Sequence, residues 1–186
     1  SHILKLNLGF LCEMEASMAL KIAINGFGRI GRLIYRAVLE TDIKMFDVVC
    51  INDLGPPESN AHLLKYDTIH GTLPVDITVD RDTMKLGQRT VRVTAERDPS
   101  KLPWGEMGVD VALECTGLFT NKEAASAHLQ AGAQKVLISA PASGADITVV
   151  YGVNSDKLSP EHQVVSNASC TTNCLAPVAK VMHESF

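Results

Sequence analysis

No apolar run in this chain of 186 residues approaches the roughly 20 residues that a helix needs to cross a bilayer, so no membrane partner is expected. Positive charge is not in excess. The 17 Lys and Arg against 21 Asp and Glu leave a formal charge of −4, which argues against nucleic acid as the main partner. Cysteine is too sparse for a disulfide scaffold. The five residues, Cys12, Cys50, Cys115, Cys170 and Cys174, are odd in number, and Cys50 and Cys115 fall in apolar, strand-like runs where a reduced thiol behaves as a small hydrophobe. This usage reads as a reducing compartment, most simply the cytoplasm. Internal repeats, low-complexity tracts and long linkers are missing too. What remains is a globular balance of 46% hydrophobic and 20% charged residues, at a length suited to one domain or one domain plus part of another.

Residues 1–18 have apolar character around Ile3 to Cys12, but Glu13 and Glu15 follow and no small-residue cleavage pattern is present. They read as a leader or upstream extension outside the fold. From residue 19 onward, short apolar runs alternate with helical patterns. Strands are expected at 20–25, 47–52, 72–79, 83–86, 90–95, 109–114, 136–139 and 148–153, with a further one at 162–166. Helices are expected at 29–40, 60–66 and 122–131, the first carrying Ile30, Leu33, Ile34, Ala37 and Val38 at helical spacing. The three strands between 72 and 95 suit a meander. Such alternation predicts an α/β fold with a Rossmann-type, mostly parallel sheet flanked by helices. That domain should occupy residues 19–168, and 169–186 should form the first helix of a catalytic domain.

Gly26, Gly28 and Gly31 form a G-x-G-x-x-G directly after a strand and at the start of a helix. The first glycine makes a tight turn, the second lets the backbone approach a pyrophosphate, and the third lets helix and strand pack closely. The helix N-terminus then faces the anion. Asp53 ends the next strand, where a carboxylate accepts hydrogen bonds from a ribose 2′-hydroxyl and repels a 2′-phosphate. NAD is therefore favoured over NADP.

The run Asn167-Ala168-Ser169-Cys170-Thr171-Thr172-Asn173-Cys174 places a thiol at a helix start. Ser169 is a natural N-cap, and the unpaired N–H groups and macrodipole of the first turn favour a thiolate at Cys170. Two readings stay open on the residues alone: a nucleophile that attacks carbonyl carbon, or a small buried residue. Cys174 lies on the same helix face, as a packed second cysteine or one half of a Cys-x-x-x-Cys pair. Pro177 falls inside the helix and should bend it. His183 is about three and a half turns beyond Cys170, too far to serve it as a base. His2, His62, His128 and His162 read as surface residues, and His70 as a loop residue without a catalytic task.

These motifs, with Lys65-Tyr66-Asp67, His70-Gly71, Glu96-Arg97-Asp98-Pro99, Glu114-Cys115-Thr116-Gly117 and Ile138-Ser139-Ala140-Pro141, resemble phosphorylating glyceraldehyde-3-phosphate dehydrogenase. The resemblance covers residues 20–186. It implies that Arg29 and Ile30 contact the pyrophosphate, that Arg97 lies near the adenine end, and that Thr116, Gly117 and Ser139 line the groove toward the nicotinamide. It implies Cys170 as catalytic nucleophile, with Ser169 and Thr171 binding phosphate or substrate. The implied reaction is the glycolytic, NAD-dependent oxidation of glyceraldehyde 3-phosphate with inorganic phosphate, in a cytoplasmic homotetramer. The histidine base and further phosphate-binding residues of the family match positions beyond Phe186, so the chain as written is expected to lack its base and be inactive alone. Erythrose 4-phosphate as substrate, and a non-catalytic NAD-binding fragment, stand as alternatives.

Overall fold

The computed structural model describes residues 19–41 and 44–186. The expected leader, with His2 and Cys12, lies outside the described residues. A nine-stranded sheet forms the centre. Its middle strand is β1 (Leu20–Asn25), which pairs in parallel with β2 (Phe46–Asn52) on one side and β8 (Val111–Glu114) on the other. Beyond β2 lie β7 (Arg89–Thr94), β6 (Thr83–Leu86) and β5 (Ile77–Asp80), the last three joined as an antiparallel meander. Beyond β8 lie β9 (Lys135–Ile138), β11 (Val164–Ser166) and β10 (Ile147–Thr148), all parallel. Counting only the parallel core, the order β7-β2-β1-β8-β9-β11 is the doubly wound order of dinucleotide-binding sheets. The expected fold class is what the structure shows.

Burial explains the central position of β1. Its residues Ile22, Ala23, Ile24 and Asn25 are buried, so both faces need cover. One side packs against α1 (Arg29–Glu40) and the meander through Phe27, Tyr35, Val38, Met84 and Leu86. A second apolar cluster holds Ala23, Cys50 and Ala112 against Trp104, which lies on the single-turn α3 (Trp104–Met107).

Several expected elements are shorter or divided, each for a local reason. The strand expected at 72–79 is split into β4 (Gly71–Thr72), which pairs with β3 (Tyr66–Asp67), and β5. Pro74 stands between them and has no N–H to give a ladder. The second helix, α2 (Pro57–Lys65), begins three residues earlier than expected, with Pro57 in its first turn and Tyr66 already extended. The helix expected at 122–131 is two single turns, α4 (Lys122–Ala125) and α5 (Ala127–Gln130), interrupted where the Ser126 hydroxyl donates back to the Lys122 carbonyl at 2.6 Å. The strand expected at 148–153 stops at Thr148, because the chain turns through Gly152 at φ +75° while Asn154 accepts from the Val150 N–H.

Candidate functional site

The parallel strands all end on one side of the sheet, and the sequence-predicted residues gather there. After β1 the chain turns at Gly26, whose φ of +90° is a left-handed conformation open to glycine. A Cβ there would lie 2.7 Å from the Thr116 nitrogen, so the glycine turn is packed on the chain leaving β8. A Cβ on Gly31 would overlap the Gly26 carbonyl oxygen and lie 3.0 Å from Ile24 Cγ2, which sets α1 directly against β1. Gly28 differs. It is the N-cap of α1, no side chain caps the helix there, and an added Cβ would meet nothing within 4 Å. Backbone donors of the first turn thus face open space, the arrangement that an anion such as a pyrophosphate fits.

Asp53 stands just past β2 and holds this loop. One carboxylate oxygen accepts from the Phe27 N–H at 2.8 Å; the other accepts from the Gly55 N–H at 2.8 Å and from Asn60 at 3.2 Å. The oxygen bonded by Phe27 keeps acceptor capacity for one further donor, which suits a ribose hydroxyl. Arg29 is half-exposed and paired with Asp67 at 2.8 Å. The N–H groups of His70 and Ile69, and then Arg29, hold the Asp67 carboxyl down at about 2. Ile30 is exposed beside Arg29, and Arg97 is exposed beyond the end of β7.

On the other side of β1, Thr116 and the exposed Gly117, at φ +73°, follow β8. Ser139 follows β9, and its N–H donates to the Glu114 carbonyl at 3.0 Å. Beyond β11 the chain enters α6 (Cys170–Ser185), with Ser169 as N-cap accepting from the Thr172 N–H at 3.0 Å. The Ser169 hydroxyl also meets those of Thr171 and Thr172 at 2.8 and 2.7 Å. A cleft of about 550 Å³ runs along Pro141, Ser143, Ala168, Ser169 and Thr172, beside the start of this helix. The helix continues through Pro177.

Cys170 is exposed, not a buried packing residue. Ala168, two residues before it, is buried at φ +57°, a costly conformation for alanine that no sequence pattern announced. It turns the chain sharply from β11 into α6, and Asn173 fastens the turn by donating to the carbonyls of Asn167 and Ser169 at 2.7 and 2.9 Å. Backbone strain of this kind persists where surrounding structure imposes it.

The four described cysteines differ in accessibility. Cys170 and Cys174 are exposed, whereas burial raises the thiol of Cys50 to about 11 and that of Cys115 to about 12. Iodoacetamide at pH 8 is therefore expected to alkylate Cys170 and Cys174 and to leave Cys50 and Cys115 unmodified until the protein unfolds. Peptide mass spectrometry against time reads the order, and early labelling of Cys115 would contradict this arrangement.

Two of the histidines expected at the surface are buried or half-buried. His128 is not a surface residue: it is 0% exposed, with its two ring nitrogens facing Trp104 at 2.9 Å and Glu114 at 2.9 Å. A histidine on a short amphipathic stretch looks solvated when its partners lie far off in sequence. His162 is half-buried as well, while His62 and His70 are exposed. Among the described residues no histidine hydrogen-bonds Cys170, and none of the His, Cys, Asp and Glu groups could hold a metal ion.

Residues 20–122 match the family model described as glyceraldehyde 3-phosphate dehydrogenase, NAD binding domain. The glyceraldehyde-3-phosphate dehydrogenase of Xanthobacter flavus is 60% identical over 168 residues, which is 90% of this chain and 50% of that protein. Those of Cereibacter sphaeroides and Geobacillus stearothermophilus are each 56% identical, over 91% of this chain and 50% of their own length. The chain thus spans about half the length of the curated relatives it matches.

Proposed function

Because the chain belongs to the glyceraldehyde-3-phosphate dehydrogenase family, we propose that its crevice binds NAD and that Cys170 is the nucleophile of an NAD-dependent, phosphorylating oxidation of glyceraldehyde 3-phosphate in glycolysis. The observation that carries this reading is the glycine turn: Gly28 opens the uncapped N-terminus of α1 to an anion, while Asp53 keeps an acceptor beside it. Gly26, Arg29, Ile30 and Gly31 would lie along the pyrophosphate, with Arg97 at the adenine end and Thr116, Gly117 and Ser139 on the nicotinamide side. Bound NAD would supply the acceptor for the two electrons and hydrogen leaving the substrate carbon.

The residues of this chain act on the substrate as follows. The Cys170 thiolate adds to the aldehyde carbon and forms a thiohemiacetal. First-turn N–H groups of α6 suit the oxyanion that develops. Oxidation leaves a thioester on Cys170. Inorganic phosphate then attacks its carbonyl, giving the acyl phosphate 1,3-bisphosphoglycerate and returning the thiolate. Ser169 and Thr171, whose hydroxyls cluster at the helix start, suit the phosphate groups. The proton of the thiohemiacetal hydroxyl needs a base, and neither His128, buried on Glu114, nor His183, far along α6, suits that task. The same reading extends to a cytoplasmic homotetramer.

Calorimetric titration with NAD, and NADH absorbance in the presence of glyceraldehyde 3-phosphate and phosphate, test the proposal. NAD should bind at least about tenfold tighter than NADP, because Asp53 opposes a 2′-phosphate. Absence of NAD binding would remove the cofactor reading. NAD binding without NADH formation would leave a cofactor domain whose base must come from elsewhere.

A further inference from the structure

The reaction leaves one buried polar cluster without a task. Glu114, the last residue of β8, is 1% exposed, yet its carboxylate accepts four hydrogen bonds. Asn25 donates at 2.6 Å and the Thr116 N–H at 2.8 Å, and the Thr116 hydroxyl donates as well. The fourth donor is His128. Its Nδ1 receives the indole N–H of Trp104 at 2.9 Å, and an indole can only donate, so the ring proton sits on Nε2 and points at Glu114, 2.9 Å away. Four donors on two oxygens are what an ionised carboxylate satisfies and a carboxamide does not. A buried group that only filled space would be apolar, since an ionised side chain is costly to desolvate.

The cluster continues across the ends of the strands. Asn25 accepts from Asn52 at 2.7 Å, and Asn52 in turn accepts from the Thr94 hydroxyl at 2.9 Å and the Glu96 N–H at 2.8 Å. The ends of β8, β1, β2 and β7 are thereby tied to one another beneath the crevice. Thr116 is the exit from this network. Its hydroxyl donates to Glu114 and accepts from the Leu118 N–H at 3.0 Å, so its proton is committed to Glu114 while its oxygen closes the turn at residues 116–118. The same turn packs on Gly26.

We infer that Glu114 is a positioning residue: it fixes the turn at residues 116–118 as the β8-side wall of the dinucleotide crevice, and His128 with Trp104 brace its carboxylate from below. The inference rests on the reading of that crevice as an NAD site. Thr116 then serves the cofactor through the placement of its backbone and of Gly117, and its hydroxyl points inward.

The test compares NAD with adenosine 5′-monophosphate, whose ribose would lie on the β2 side by Asp53, in ligand-observed NMR titrations of the wild type, Glu114→Gln and Thr116→Val. Thr116→Val keeps the side-chain shape and leaves Glu114 three donors, so it reads the effect even if Glu114→Gln does not fold. Each folded variant should bind NAD at least about tenfold more weakly, the scale of losing hydrogen bonds to a charged group, while its affinity for adenosine 5′-monophosphate changes less than about twofold. Equal loss of both ligands, or loss of neither, would overturn the inference and leave Glu114 a purely structural residue. A wild type that fails to bind NAD would overturn the reading of the crevice itself, and the inference with it.

Discussion

Replacing Gly31 with alanine should lower the thermal midpoint by about 10 °C. The backbone at this position is an ordinary helical one, so the effect is steric and owes nothing to glycine's conformational range. The added methyl would overlap the Gly26 carbonyl oxygen and crowd Ile24 Cγ2 at 3.0 Å. Neither neighbour can yield. The first is backbone of the turn that leads out of β1, and the second is a fully buried side chain of the central strand. Relief requires α1 to move off the sheet, loosening the packing of Tyr35 and Val38 that closes one face of the core. Overpacking of this severity costs about 3 kcal/mol, a large share of the stability of an ordinary domain, and about 3 °C per kcal/mol for a chain of this size gives the stated shift. Differential scanning calorimetry measures it. A midpoint within about 2 °C of the wild type would mean that helix and strand are not in the contact described.

The same substitution at Gly28 should do the opposite. Its φ of −70° is accessible to alanine, and the new methyl meets nothing within 4 Å, so the midpoint should stay within about 2 °C. The loss appears in binding. The methyl stands where the backbone must approach a pyrophosphate, and displacing the anion from the first-turn N–H groups of α1 costs about 2 kcal/mol, or roughly thirtyfold in NAD affinity. Calorimetric titration reads that value beside the melting curve. Two glycines three positions apart thus separate the stability of the fold from the occupancy of its crevice. Unchanged NAD affinity in the Gly28 variant would move the pyrophosphate elsewhere.

How far the sequence could be read depended on the range of the interactions involved. Helix α1 appears at its expected residues because its apolar spacing and its preceding glycine turn are local in sequence, although of the positions that marked it only Val38 is buried. The same holds for β6 and for the Ser169 cap of α6, each set by a few consecutive side chains. Signals that interrupt an element were harder to weigh. Pro74 divides a run that otherwise alternates as a strand, and the Ser126 hydroxyl breaks a stretch that otherwise reads as one helix. The cluster of Trp104, Glu114 and His128 was least legible. Its members lie 24 and 14 residues apart, on a single-turn helix, a strand end and a broken helix. A buried glutamate closing an apolar strand was the available sign, because such a charge requires partners. At the candidate site the glycine turn, the strand-end position of Asp53 and the capped helix start at Cys170 were legible as local patterns. The strained Ala168 was not, since alanine carries no propensity for a positive φ.

The parallel pairing of β1 has a kinetic consequence. Its neighbour β8 begins 89 residues after the partner it meets, Ile22 facing Val111, and the two walls of the crevice belong to these two strands. A ribosome adding roughly 5–20 residues per second has already released β1 and β2 for several seconds before β8 emerges. In that interval the glycine turn has no opposing wall, and the nascent chain cannot hold a dinucleotide. Loop closure over this span, not local helix formation, should set the folding rate, and ligand added during refolding should slow unfolding without hastening the search.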